Sequence, residues 1–305
     1  MRPTKPSIYL MGLILHSLIN IPLVLSQPQP QATPFNISVP DSEIAFLKQK
    51  LELTRLPDEL EGAGWDYGAP LGDIKRLVAR WKDGYDWKKY EKELNDELPQ
   101  FTRDIEVDGH GVLSVHYVYK KSERKEGGIP LLFVHGWPGS FIEVRKILPL
   151  LTAPVEDGQP SFDVVALSLP GYGFSEGTKR KGFDLTKYAE TGHKLMLALG
   201  YNEYASVRTY YEVAQMEGGG VDLRRRSNDG ANGTIPTGAS FFAGDITTGP
   251  LSWFAAEFNV VFHSRHDRGG HFAAYEVPEL LVDDLRRMYG KGGPAYGVVS
   301  GKDGY

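Results

Sequence analysis

The order strand, helix, strand, helix predicts an α/β fold with a mostly parallel sheet and helices on both faces. Two apolar runs without charge, Ile129–Val134 and Val164–Leu169, have the pattern of strands buried on both sides. Each is followed by a glycine- and proline-containing turn and then by a helical pattern. The first of these helices is capped by Ser140 and carries Ile142, Ile147 and Leu151. The second runs from Asp184 to Leu199, with Leu185, Tyr188, Leu195 and Leu199 on one side, and ends at Gly200.

Ahead of this core, Asp41 and Ser42 are placed to cap a helix whose apolar face includes Ile44, Leu47 and Leu51, and Pro57 stops it. Leu71 to Trp81 and Trp87 to Leu98 read as two further helices. Phe101 to Tyr119 alternates about an Asp108-Gly109 turn, as a strand pair does. After Gly200 the order fails. Glu217 to Asn232 is rich in Gly, Arg, Asn and Asp and reads as a loop or disordered segment. Regular patterns return at Ile235 to Phe242, Trp253 to Phe262 and Glu276 to Tyr289. The glycine-rich stretch from Gly290 to Tyr305 is expected to be flexible.

Composition narrows the function classes. The chain has 305 residues, 41% hydrophobic and 24% charged, with a formal net charge of -5. This supports a buried core and gives no broad positive face for nucleic acid; Arg224-Arg225-Arg226 reads as a solvated loop. The absence of cysteine excludes disulfides, thiolate nucleophiles and cysteine metal sites. Arg2 and Lys5 precede an apolar run, Ile8 to Leu25, and a Gln/Pro-rich stretch follows it. We read residues 1–26 as a secretory signal peptide. The competing reading, a membrane anchor, is disfavoured by His16, Asn20 and Pro22 within the run. Asn36-Ile37-Ser38 and Asn232-Gly233-Thr234 have the form of N-glycosylation sites.

The chemistry lies in the loops. His135-Gly136-Trp137-Pro138-Gly139 follows the first buried strand, where backbone N–H groups can hold a developing oxyanion. A tight Gly/Pro turn is the alternative, with equal claim when this loop is taken alone. Leu169-Pro170-Gly171-Tyr172-Gly173-Phe174-Ser175 closes the second strand, so both loops face one active-site mouth. Arg268-Gly269-Gly270-His271-Phe272-Ala273-Ala274 leads to Glu276-Val277-Pro278-Glu279-Leu280 near the carboxyl end.

Together these motifs resemble the epoxide hydrolases, in their microsomal-type branch, of the α/β-hydrolase superfamily. Gly64-Trp65-Asp66-Tyr67-Gly68 and its flanking helices are similar to that branch's N-terminal domain. The resemblance covers roughly Pro34 to Ala205 and Ser206 to Tyr289. It implies an N-terminal region at 34–125, a hydrolase core at 126–290 and a tail at 291–305. It also implies hydrolysis of a small-molecule epoxide to a vicinal diol through an aspartyl ester, without cofactor or metal. His271 would be the general base. Asp245, in the loop after the strand bearing Pro236-Thr237-Gly238, would orient it, although a turn aspartate is the plainer reading of Gly244-Asp245. Tyr210 would protonate the epoxide oxygen, with an aromatic core contact as the alternative. The backbone N–H of Trp137 would serve the oxyanion.

The departure from the family is specific. The nucleophilic aspartate should stand in a Gly-Gly-Asp-Trp-like elbow shortly after Gly200-Tyr201-Asn202-Glu203-Tyr204. The chain instead continues Ala205-Ser206-Val207-Arg208. A strand, its elbow, the next helix and strand, and most of the lid are expected to be missing, leaving the core truncated in its centre beside Ile129–Val134. Asp222 is a poor stand-in, with no apolar strand before it; Asp184 and Asp163 read as a helix cap and a strand-edge residue. The expectation is an inactive member of the family. The alternatives are a secreted ligand-binding protein without catalysis, and an esterase, which would require a Gly-X-Ser-X-Gly elbow that the sequence lacks.

Overall fold

The computed structural model describes residues 31–153, 158–208, 235–245 and 249–305. The signal-peptide segment, Tyr210, Asp222, Arg224 to Arg226 and Asn232 lie outside the described residues. A six-stranded sheet has the order β1-β2-β3-β5-β4-β6. Its strands are β1 (Thr33–Pro34), β2 (Gln100–Val107), β3 (Gly111–Lys120), β4 (Ile129–Val134), β5 (Phe162–Leu167) and β6 (Ala205–Arg208). The sheet is mixed: β3 is antiparallel to β2 and β5, whereas β4 lies parallel between β5 and β6. The hairpin at Asp108-Gly109 and both buried strands form where the pattern places them.

Two cores flank the sheet because side chains alternate along each strand. On one face Leu131, Phe133, Val164 and Ala166 pack with Ile147, Leu151, Val282, Leu285 and Met288. On the other, Leu132, Val165 and Leu167 meet Leu195 and Met196. The second face is covered by α5 (Leu185–Ala198), whose N-terminus is capped by Asp184 through the N–H groups of Thr186 and Lys187. The first is covered by α4 (Ile147–Thr152) and the long C-terminal helix. Asp163 sits inside β5 and accepts from the N–H groups of Ser122 and Gly128 and from the Tyr201 hydroxyl. It is a buried structural anchor within the strand, where the sequence placed it at the strand's edge.

The N-terminal helices are α1 (Asp41–Glu52), α2 (Leu71–Ala79) and α3 (Trp87–Glu97). Asp41 does not cap α1: Pro40 holds the cap position, no side chain bonds there, and Leu51 is the helix's one buried residue. Arg145, in the 3₁₀ turn Phe141–Arg145, ties α3 to the core through Glu97 at 2.6 Å.

Two expectations are corrected. The position beside Ile129–Val134 is filled, because Ala205–Arg208 pairs with β4 in parallel, from Leu131↔Ala205 to Val134↔Arg208. No gap opens there, and Leu195 is fully buried. Among the described residues, β7 (Pro236–Gly244) and β8 (Asn259–Gly270) form a separate two-stranded parallel sheet. The strand at Ile235 to Phe242 therefore pairs with β8 and does not enter the main sheet. The tail also differs from its expectation. Ala295 and Val299 are buried in the first core, and Gly304 accepts the Ser161 N–H. These apolar residues, spaced between the glycines, find a groove beside β5.

The remaining helices are α6 (Leu251–Glu257), α7 (Ala273–Glu276) and α8 (Pro278–Tyr289). Among the described residues no helix is long and apolar enough to cross a membrane.

Candidate active site

The loops after β4 and β5 are bound to each other. His135 is 1% exposed; its Nε2 accepts the Leu169 N–H at 3.1 Å, and its Nδ1 donates to the Gly136 carbonyl at 3.0 Å. This is the neutral tautomer, and burial lowers the imidazole's pKa. Tyr172 stacks edge-on against the ring. Ser175 closes the second loop by donating to the Ser168 carbonyl and accepting the His116 N–H. The first loop is tight at Gly139, where a Cβ would fall 2.8 Å from the Gly136 carbonyl oxygen and also against the Glu143 carboxylate.

Three of the expected site residues meet at the mouth of these loops. Asp245 follows the end of β7, and its N–H turns back to the Phe242 carbonyl. His271 follows the end of β8. The two lie side by side because the strands approach closely at their ends: a Cβ on Gly244 would be 3.0 Å from the Gly269 carbonyl oxygen. Gly269 has φ +85°, and a side chain there would strike Val277 at 2.5 Å. The Gly-Gly pair before His271 is thus a packing requirement. His271 is 9% exposed, and its Nδ1 donates to Asp245 Oδ1 at 3.1 Å. Its Nε2 faces the carbonyl oxygen of Trp137 at 3.2 Å. Trp137 thus presents its C=O to the histidine, and the residue is 54% exposed.

Of the set expected from sequence, the fold brings together His271, Asp245 and Trp137. Tyr210 falls outside the described residues. Among the described residues no group of three His, Asp or Glu side chains is arranged to hold a metal ion. Two clefts, of ≈ 360 and ≈ 440 Å³, lie among the N-terminal helices against Leu47, Trp81, Tyr85 and Trp87.

No motif in the sequence marks the neighbourhood of the pair. Ser240, Ser264, His266 and Asp284 form a buried polar group behind it. The sequence trace of this group was polar residues at core-facing positions of β7, β8 and α8.

The architecture is that of an α/β hydrolase, and the comparisons agree. Residues 129–207 match the α/β hydrolase fold family, and residues 32–144 match the family described as epoxide hydrolase N terminus. Residues 32–207 thus carry the likeness to epoxide hydrolases. It is 38% identical over 177 residues to a putative epoxide hydrolase of Stigmatella aurantiaca, covering 57% of this chain and 39% of that protein. It is 39% identical over 177 residues to epoxide hydrolase 1 of Sus scrofa, covering 56% and 38%. The chain thus spans about two fifths of the length of these curated relatives. The crystal structure of juvenile hormone epoxide hydrolase from the silkworm Bombyx mori superposes with a TM-score of 0.69 at 21% identity, covering 84% of this chain and 93% of that one. The Aspergillus niger epoxide hydrolase superposes with a TM-score of 0.66 at 23% identity, covering 85% and 97%. At these identities the likeness shows the fold alone.

Proposed function

We propose that this chain is an epoxide hydrolase family member that keeps the water-activating pair and has lost the ester-forming step. His271 is the base of that pair and Asp245 its orienting acid, with the His135–Gly139 loop as the oxyanion side of the mouth. The observation that carries the retained half is the pair itself: His271 Nδ1 donates to Asp245 Oδ1 at 3.1 Å, the bond that orients a base histidine. Strand β6, next to β4, ends in Arg208 at the register of Val134, with no carboxylate among its four residues. Among the described residues of β6 there is thus no carboxylate to open an epoxide ring.

The expected result is no vicinal diol above buffer when purified full chain is incubated with a terminal aryl epoxide such as styrene oxide. Diol formation that disappears in His271→Ala would overturn the proposal, and Asp222→Asn would then show whether Asp222 is the nucleophile. Saturable retention of the epoxide without diol would instead favour a binding protein.

The signal-peptide reading supports export of the chain. Expressed in a eukaryotic host with a secretory pathway, the chain should lose residues up to about Ser26. A membrane-bound product that retains Met1 would establish the anchor instead.

A further inference from the structure

We infer that Asp284 is a positioning residue: its buried carboxylate clamps β7 and β8 in register and so sets the His271–Asp245 pair. A two-stranded sheet is marginal on its own, and parallel pairing is the weaker kind. The β7–β8 ribbon is parallel and, among the described residues, pairs with no strand of the six-stranded sheet. Its ladder is also irregular, with register shifts at Thr237/Gly238 and again between Phe242 and Gly244, just before the pair. Main-chain pairing alone therefore does not carry the alignment to Asp245 and His271, and a one-residue slip would turn their side chains to opposite faces.

Asp284 supplies the missing constraint. It is 2% exposed on α8, and its Oδ2 accepts from both strands. Ser240 of β7 donates to it at 2.7 Å, and from β8 come the Ser264 hydroxyl and His266 Nε2, the latter at 2.8 Å. The Arg287 guanidinium lies 3.6 Å from Oδ1. A buried carboxylate is costly unless such donors are present, so the contacts hold each other in place. Ser240 and Ser264 are register partners, as are Phe242 and His266, whose rings stack at 4.9 Å. The mount itself is rigid, since Val282, Leu285, Met288 and Tyr289 fix α8 to the first core. Gly238 lets β7 approach α8, as a Cβ there would fall 2.6 Å from Met288 Sδ. The group is not a nucleophilic triad. Ser264 and Asp284 both meet His266 at Nε2, whereas a relay needs them on opposite nitrogens.

The inference concerns the geometry of the pair and does not depend on whether the chain turns over epoxide. Its test is histidine side-chain ¹⁵N–¹H spectroscopy on the full chain near neutral pH. In the parent protein His271 should show a hydrogen-bonded Nδ1–H donated to Asp245. Asp284→Ala should abolish that signature while the methyl signals of Leu195 and Leu132, in the opposite core, stay in place. Asp284→Asn, which keeps an acceptor oxygen for the two serines, should restore it at least in part. An unchanged His271 signature in Asp284→Ala would overturn the inference. If Asp284→Ala fails to fold, the double variant Ser240→Ala/Ser264→Ala decides. It should broaden or shift the His271 resonances, and resonances identical to the parent would equally overturn the inference.

Discussion

Replacing Phe133 with alanine should lower the unfolding free energy by about 3–5 kcal/mol, the usual loss for a buried aromatic in a close-packed core. Phe133 is 1% exposed on β4, which has a parallel neighbour on each side and carries the His135–Gly139 loop at its end. Against a total of about 5–15 kcal/mol for an ordinary domain, this is a large fraction. Urea unfolding should show a lower midpoint at an unchanged slope. Tyr67→Ala, at a residue 84% exposed, is the control and should stay within about 0.5 kcal/mol. A loss below about 1 kcal/mol for Phe133→Ala would mean that the ring is not held in a packed interior. The filled position beside β4 argues against that outcome, because β6 pairs the edge that a truncated core would have left open.

The second large effect is acid lability through His116. The side chain is fully buried, and burial pushes its pKa down to about 4. Its Nε2 donates to Gln100 Oε1 at 3.1 Å, and its Nδ1 accepts from the Ser168 hydroxyl at 2.8 Å, so the native ring is neutral. Phe35, Phe141 and Phe174 surround it. An unfolded histidine binds a proton near pH 6.5, and the native one does not do so until about pH 4. Between those values the unfolded state binds more protons, so stability is fully present above pH 6.5 and falls as the pH drops. The loss across the window is about 3 kcal/mol from this group alone. Burial lowers the pKa of His135 as well, and it acts with the same sign. His116→Gln should be less stable at pH 7 but lose less between pH 6.5 and pH 4. Equal slopes for the two proteins over that window would remove His116 as the cause. Phe174 belongs to the loop after β5, so acidification should loosen the mouth of the site together with the core.

The sequence by itself determined what local pattern can determine. Charge-free strands, alternation around Asp108-Gly109, the Asp184 cap and the Gly200 stop all rest on neighbouring residues, and each element formed. Asp245 and His271 were readable because each follows a strand within a motif. Their meeting was implied by the resemblance, since nothing in the spacing between them brings them together.

Tertiary structure decided the rest. Ala205-Ser206-Val207-Arg208 has too few apolar residues to declare itself a strand; it becomes one because β4 offers a free edge of backbone donors and acceptors. The glycine-rich tail packs because Ala295 and Val299 reach an apolar groove that no local window reveals. The orientation of Trp137, with its carbonyl toward His271, depends on where β8 ends relative to β4, across 134 residues of chain. Asp284, Ser240, Ser264 and His266 are unremarkable polar residues along the sequence. They form a buried group only when α8 lies under the ribbon, because a carboxylate removed from water draws every donor within reach.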